Sequence, residues 1–270
     1  MVLLGHPVAH SLSPRFQAAA LRAAGLDVEY TALDVIPGAL TETLARLVAQ
    51  NAAGNVTVPH KENLARLCDR LTPVAERVGA VNTFWVEGAT LVGDNTDVGG
   101  FAGAALALRG APVASGEQVA VMGAGGAAAA VLAALSEWPG IEVRVWNRSA
   151  ERARVLADRF GVQAVLKQEE ALDRSSLVVN ATSIGLDGVS QPTDVALLPQ
   201  GADVIDLVYG PNETAWVRAA RAAGHRAMDG LAMLIEQGAL AFERWFGMAP
   251  DRDVMWRAAA PDRNRFTTTA

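Results

Sequence analysis

Gln118 to Met122 reads as a short strand of the fully buried type. It runs straight into Gly123-Ala124-Gly125-Gly126-Ala127-Ala128, and an uncharged helical pattern follows from Ala127 to Ser136. A second strand, Glu142 to Trp146, comes next. Strand, glycine turn, helix and strand in this order make a βαβ unit, and such units build parallel sheets covered by helices. The uncharged stretch Val119 to Leu135 approaches the length of a membrane span, but glycines at turn spacing divide it into strand, turn and helix.

The same alternation continues on both sides. Downstream, Val162 to Val165, Leu177 to Asn180 and Val204 to Leu207 read as strands of a doubly wound sheet. Upstream, Val2 to Leu4 is a strand ending at Gly5. Ser13-Pro14 opens a helix, with Ser13 as N-cap and Pro14 at the first helical position. Val28 to Val35 and Asn55 to Val58 read as strands, Leu40 to Gln50 and Thr72 to Val78 as helices, and Ala80 to Val86 with Thr90 to Gly93 as a hairpin. A helix runs from Val98 to Arg109. Two more, Leu231 to Phe246 and Asp253 to Ala260, close the chain. The expected fold is α/β: an N-terminal α/β domain, a Rossmann-like doubly wound domain, and C-terminal helices.

Composition narrows the function. The chain has 270 residues, 51% of them hydrophobic, enough for two domains with their own cores. A net charge of -6 without any basic run argues against nucleic acid as a partner. Cys68 is the only cysteine, so there is no internal disulfide and no cysteine metal cluster, which fits a reducing cytoplasm. Met1 to Pro7 does not read as a signal peptide. His6, His10, His60 and His225 lack metal-ligand spacing, so no metal site is expected. No G-x-S-x-G elbow is present.

In the glycine turn, Gly123 permits the tight bend and Gly125 lets backbone approach a pyrophosphate at a helix N-terminus. Helix–strand packing is the competing account of the same glycines. After the second strand comes Asn147-Arg148-Ser149, with Arg152 one helical turn beyond Arg148. An acidic residue there would favour NAD, whereas guanidiniums and a hydroxyl suit the 2′-phosphate of NADP. A solvated helix start is the plainer account of the arginines, but the absence of the expected carboxylate favours NADP.

Two polar motifs remain. Asn55-Val56-Thr57-Val58-Pro59-His60-Lys61 places Lys61 in a loop after a strand, and Gly93-Asp94-Asn95-Thr96-Asp97 places Asp97 just before a helix. Ketone reduction needs a proton donor at the developing oxyanion. A lysine oriented by a carboxylate can serve. From spacing alone, a surface lysine and a helix-capping aspartate account for both. Ser11 and Ser13, after the first strand, have hydroxyls suited to a carboxylate.

These motifs together resemble the shikimate dehydrogenase family, which includes quinate dehydrogenases. The likeness rests on Gly5-His6-Pro7 through Ser11-Leu12-Ser13-Pro14, on the Asn55–Lys61 motif, on Ala80-Val81-Asn82-Thr83, on Asn95-Thr96-Asp97 and on the glycine turn. It continues through Asn147-Arg148-Ser149, Asn180-Ala181-Thr182-Ser183, Asp206-Leu207-Val208-Tyr209 and Asp229-Gly230-Leu231 to Gln237.

The resemblance implies a cytoplasmic NADP-dependent oxidoreductase that interconverts 3-dehydroshikimate and shikimate in aromatic amino-acid biosynthesis. A homodimer is left open. It implies Lys61 and Asp97 as the catalytic pair. Ser11, Ser13, Thr57, Asn82, Tyr209 and Gln237 would bind substrate. Gly123, Ala124, Gly125, Gly126, Ala127, Asn147, Arg148, Ser149, Arg152, Thr182, Leu207 and Gly230 would bind cofactor. The implied domains are a substrate-binding catalytic domain of residues 1–97 plus 231–270 and an NADP-binding domain of residues 98–230. A quinate or dual-specificity dehydrogenase and a catalytically silent ligand sensor are the alternatives.

The chain departs from the family pattern in three places. Phe16-Gln17 stands where His-Asn is usual, a change that bears on the pocket floor or on helix packing. Ala129 stands where Arg often continues the glycine motif, a change that bears on phosphate binding. The first strand is short.

Overall fold

The computed structural model describes residues 1–263. The described residues form two compact units, 1–100 with 234–263, and 101–233.

The first unit begins with β1 (Val2–Gly5), α1 (Ser13–Ala23), β2 (Thr31–Asp34), α2 (Leu40–Ala49) and β3 (Gly54–Val56). It continues with α3 (Lys61–Leu67), β4 (Arg70–Leu71), α4 (Pro73–Val78), β5 (Thr83–Glu87), β6 (Thr90–Asp94) and the start of α5 (Asp97–Arg109). Its sheet has the order β2-β1-β3-β5-β6-β4. β1 is parallel to β2 and β3, whereas β5 is antiparallel to both β3 and β6. The carboxyl ends of β1, β3 and β6 and the amino end of β5 therefore share one edge. Val2, Leu4, Leu44, Val56, Leu64 and Phe84 are among the core residues under this sheet. β1 and β3 approach so closely that a Cβ on Gly54 would lie 2.0 Å from the Val2 carbonyl oxygen.

The second unit is a parallel sheet of β7 (Gln118–Met122), β8 (Glu142–Trp146), β9 (Gln163–Ala164), β10 (Ser175–Asn180), β11 (Asp203–Asp206) and β12 (Ala227–Met228). Its helices are α6 (Gly126–Leu135), α7 (Ala150–Phe160), α8 (Gln168–Leu172) and α9 (Ala215–Ala222). The order β12-β11-β10-β7-β8-β9 is the doubly wound Rossmann arrangement, with its switch point between β7 and β10. β7 is buried along its whole length, as a central parallel strand must be. α6 buries Ala128 through Leu135 all round, which explains its lack of charge. Ala129 is one of these buried positions.

The chain ends with α10 (Leu231–Phe246) and α11 (Arg252–Ala259), and α11 packs on α1 in the first unit. Gly238 of α10 gives way to Phe16 of α1: a Cβ there would meet the Phe16 ring at 2.5 Å. Gln17 donates from Nε2 to the Gly238 carbonyl at 2.9 Å. The Phe16-Gln17 departure thus falls at the contact between α1 and α10.

Several local expectations need correction. Ser13 is not the N-cap. Leu12 holds that position, Ser13 is the first helical residue, and Ser11 Oγ accepts from the Ser13 N–H at 3.2 Å. Lys61 does not sit in a loop but starts α3, and Asp97 starts α5. β2 is shorter than its run because only Thr31–Asp34 meets β1, and β3 begins one residue earlier than expected and ends at Val56, where its pairing with β1 ends. β4 is two residues long, too short to carry a period in the sequence. The tail of the range 231–270 lies outside the described residues.

Candidate active site

In the first unit, Lys61 Nζ lies 2.6 Å from Asp97 Oδ2, with the two side chains 23% and 8% exposed. Topology brings them together: α3 follows β3, α5 follows β6, and both strands end at the same edge. Asn82, just before β5, completes the pair. Its Nδ2 lies 2.8 Å from Asp97 Oδ1, 3.1 Å from Gln237 Oε1 and 3.0 Å from Thr96 Oγ1. Gln237 is set by its own bond, from Nε2 to the Leu234 carbonyl at 2.7 Å.

The loop carrying Asp97 is fixed from several directions. Asn95 Nδ2 donates to the Ala80 carbonyl, and Asn95 Oδ1 accepts from the Asp97 N–H. Buried Asp94 accepts from Thr72 Oγ1, from the Asn95 N–H and from Arg244 Nε. Next along the edge, Thr57 donates its N–H to the Leu4 carbonyl, and His6 donates its N–H to the Val58 carbonyl. These bonds tie the β1 loop, which leads to Ser11 and Ser13, to the β3 loop, which leads to Lys61. Ser13 is buried and Ser11 partly exposed. Because Ser11 Oγ already accepts from Ser13, its hydroxyl proton is free to donate.

The second unit gathers the remaining residues at the carboxyl edge of its parallel strands, where ligands of such sheets bind. Gly123 has φ of +120° and would press a Cβ to 2.6 Å from the Ala181 carbonyl. Cβ atoms on Gly125 and Gly126 would meet nothing within 4 Å, so there is open space beside the start of α6, where the first backbone N–H groups of a helix lack intrahelical partners. No acidic residue stands in the first turn of α6. This cradle fits a pyrophosphate. Arg148 and Arg152 are exposed beside it, and neither pairs with a carboxylate among the described residues. Ser149 caps α7, its Oγ accepting from the Arg152 N–H. Asn147 donates to the Ser149 carbonyl.

Past the switch point, Thr182 donates from N and Oγ1 to Asn180 Oδ1, and Asn180 Nδ2 donates to Asp206 Oδ1 at 2.8 Å. Asp206 also accepts from Thr214 Oγ1 and the Val208 N–H. Gly230 packs on Leu207, where a Cβ would lie 2.2 Å from the carbonyl oxygen. Tyr209 lines a cavity of 230 Å³ with Gly185, Val208 and Thr214. Among the described residues no cluster of His, Cys, Asp or Glu could hold a metal, and no helix is long and apolar enough to cross a membrane.

Profile comparison matches residues 3–84 to the shikimate dehydrogenase substrate binding domain, 105–190 to shikimate / quinate 5-dehydrogenase, and 230–260 to the shikimate 5′-dehydrogenase C-terminal domain. A shikimate dehydrogenase (NADP(+)) of Mesorhizobium japonicum is 42% identical over 94% of this chain and 92% of its own. The chain belongs to the shikimate dehydrogenase family. The crystal structure of shikimate 5-dehydrogenase from Thermus thermophilus, in complex with NADP(H) and shikimate, matches at TM-score 0.88 with 43% identity. It covers 96% of this chain and 97% of that one. Quinate dehydrogenase from Corynebacterium glutamicum, in complex with NAD, matches at TM-score 0.85 with 31% identity over 95% and 96% of the two chains.

Sequence reasoning missed the polar residues behind the pair, Tyr30, Asn55 and Thr83, and the buried Asp206 cluster. The available signal was a polar side chain at the end of an otherwise apolar strand, as with Asn180 and Asp206.

Burial pushes the Asp206 carboxyl up from 3.8 to about 6. Bonds from Thr214, Val208 and Asn180 oppose the shift, and the nearby Asp229 carboxylate adds to it. The folded protein therefore holds an extra proton between about pH 4 and 6. This group's stabilising contribution is present below that window and is lost as the pH rises through about 6. Asp206→Asn, permanently neutral, should gain in Tm relative to the parent between about pH 4 and pH 8. A Tm difference flat across that range would show that Asp206 does not titrate there.

Proposed function

We propose that this chain catalyses the reversible, NADP-dependent reduction of 3-dehydroshikimate to shikimate. The observation that carries the reading is the Lys61–Asp97 pair at 2.6 Å, held against Asn82 and Gln237. Its support is the family membership and the relatives that are shikimate dehydrogenases (NADP(+)). In this reading the substrate-binding catalytic domain, residues 1–97 plus 231–270, corresponds to the first unit and the NADP-binding domain, residues 98–230, to the second, with the internal boundaries of the units falling three residues further along the chain, after Gly100 and Met233. The enzyme works in the cytoplasm, as a monomer or a homodimer.

Substrate recognition follows from the donors and acceptors present. Ser11 and Ser13 hydrogen-bond the carboxylate, and Tyr209 is a further substrate-binding residue of this reading. Asn82 Nδ2 has two protons for three acceptors, so Asp97 and Gln237 keep capacity to accept from a ring hydroxyl. Thr57 contributes a further hydroxyl. In the reductive direction the Lys61 ammonium gives a proton to the carbonyl oxygen as it gains electron density, and solvent reprotonates the amine. In the oxidative direction the Lys61 amine takes the hydroxyl proton. Asp97 holds the amine at that oxygen in both directions.

NADP, when bound, supplies or takes the hydride. Gly123 to Ala127 would hold its pyrophosphate at the start of α6. Asn147, Arg148, Ser149 and Arg152 would hold the adenosine ribose and its 2′-phosphate. Thr182, Leu207 and Gly230 would lie toward the nicotinamide.

Three measurements test this reading. Cofactor absorbance with shikimate or quinate against NADP or NAD should show the highest kcat/KM for shikimate with NADP. Quinate turned over as well as shikimate would shift the assignment to the quinate branch, which the Corynebacterium likeness keeps in view. Lys61→Ala should lower kcat by about 10²–10⁴-fold with little change in KM, as for loss of a general acid–base group. Near-normal kcat would remove Lys61 from the reaction. Arg148→Ala should reduce the preference for NADP over NAD about ten- to a hundredfold, the range for a lost charge-assisted hydrogen bond. Equal weakening of both cofactors would place Arg148 at shared atoms or in the fold instead.

A further inference from the structure

Behind the Lys61–Asp97 pair, beyond Asn82, lie three buried polar side chains that the proposed reaction does not use, Tyr30, Asn55 and Thr83. Tyr30 Oη is 2.7 Å from Asn55 Oδ1, Asn55 Nδ2 is 3.0 Å from Thr83 Oγ1, and Thr83 Oγ1 is 3.0 Å from Asn82 Oδ1. Asn82 then reaches Asp97 from Nδ2. Tyr30, Asn55, Thr83 and Asn82 are each 5% exposed or less.

Two backbone groups fix the direction of every bond in this run. Asn55 Nδ2 also faces the Asn82 carbonyl at 3.2 Å. A carbonyl only accepts, so the Asn55 nitrogen must lie on that side and its oxygen must face Tyr30. Tyr30 is therefore the donor. Asn82 Oδ1 faces the Thr96 N–H at 2.7 Å. An N–H only donates, so the Asn82 oxygen lies there and its nitrogen points at Asp97. Between the two amides, Thr83 Oγ1 accepts from Asn55 and passes its own proton to Asn82 Oδ1, directly or through Thr96 Oγ1 at 3.1 Å. Donation runs one way, from Tyr30 through Asn55, Thr83 and Asn82 to the Asp97 carboxylate. Bonds aligned in series polarise one another, and a chain that ends on an anion draws the most from that alignment. Burial also keeps the Tyr30 phenol protonated, well above its ordinary range, so the head of the chain stays a donor.

We infer that Tyr30 is a positioning residue for the reaction: its hydroxyl heads a one-way hydrogen-bond chain that sets the Asn82 amide and, through it, the Asp97 carboxylate that holds Lys61. The inference rests on the catalytic reading of Lys61 and Asp97 given above. Tyr30 touches neither of them. Its ring packs against Trp245, with centroids 6.2 Å apart, so Tyr30→Phe removes the hydroxyl and keeps the ring contact.

The test is a double-mutant cycle on kcat for shikimate oxidation with NADP. Tyr30→Phe should lower kcat roughly two- to tenfold, the range for one net hydrogen bond, with KM for shikimate nearly unchanged. In an Asp97→Asn background the same substitution should have almost no effect, because the chain no longer ends on an anion. Thr83→Val, which removes a middle link at nearly constant shape, should repeat both results and serves if Tyr30→Phe does not fold. An unchanged kcat, a loss confined to KM, or an equal loss in the Asp97→Asn background would each overturn the inference. A parent protein that fails to oxidise shikimate would instead overturn the functional reading, and the inference with it.

Discussion

The Asp97 side chain is 8% exposed, yet it carries a formal charge at the edge of an apolar sheet. Removing a carboxylate from water is costly unless hydrogen bonds and an opposite charge replace its hydration. Lys61 supplies the charge and Asn82 the second bond. The arrangement then works outward. Asn82 must be held, so Thr96, Thr83 and Asn55 surround it. The Asp97 loop must be held, so Asn95 reaches the Ala80 carbonyl and Asp94 reaches Thr72 and Arg244. Mixed pairing in the first sheet makes this possible, because it brings the carboxyl ends of β1, β3 and β6 and the amino end of β5 to one edge.

The second unit meets the same requirement with less charge. Its strands are all parallel, so each leaves the sheet at the carboxyl edge and the loops there need tying. Asn180 and Asp206, at the ends of β10 and β11, do this through bonds to Thr182, Ile184, Val208 and Thr214. No lysine or arginine among the described residues bonds to Asp206, and burial accordingly raises its carboxyl. Asp97 beside a lysine and Asp206 beside hydroxyl and amide groups are two ways of keeping a carboxyl group in the interior.

The second unit was the more legible in the sequence. β7, fully buried, reads as an uncharged and mostly apolar run, β8 buries Val143 and Val145 alternately, and both match the sequence ranges at both ends. The first unit was harder because its strands are short and paired over only part of their apolar runs. β2 keeps only Thr31–Asp34 of the run from Val28 to Val35. Caps were harder still: Ser13-Pro14 has the composition of a cap and first turn, but Leu12 occupies the cap and Ser11 turns its Oγ to the Ser13 N–H. That bond depends on the path of the β1 loop, which local composition does not encode. Lys61 and Asp97 stood out only as members of longer motifs. Their meeting depends on strand order, and nothing in the sequence across their separation of 36 states it.

The polar run from Tyr30 to Asp97 also bears on why the first unit carries amides where an apolar core would be the simpler solution. Apolar residues of similar volume would avoid the desolvation of Asn55, Thr83 and Asn82, and a network with any member unsatisfied is worse than none. The cost is acceptable only if the network does something packing cannot. Packing fixes where a side chain sits but does not decide which end of an amide faces a carboxylate, since the two ends are nearly the same shape. Here the Asn82 carbonyl and the Thr96 N–H decide it, and Asn55 and Thr83 pass the direction on. Chemical direction at Asp97 therefore comes from backbone groups of the loop before β5 and the turn before α5, the two segments that carry Asn82 and Asp97 themselves.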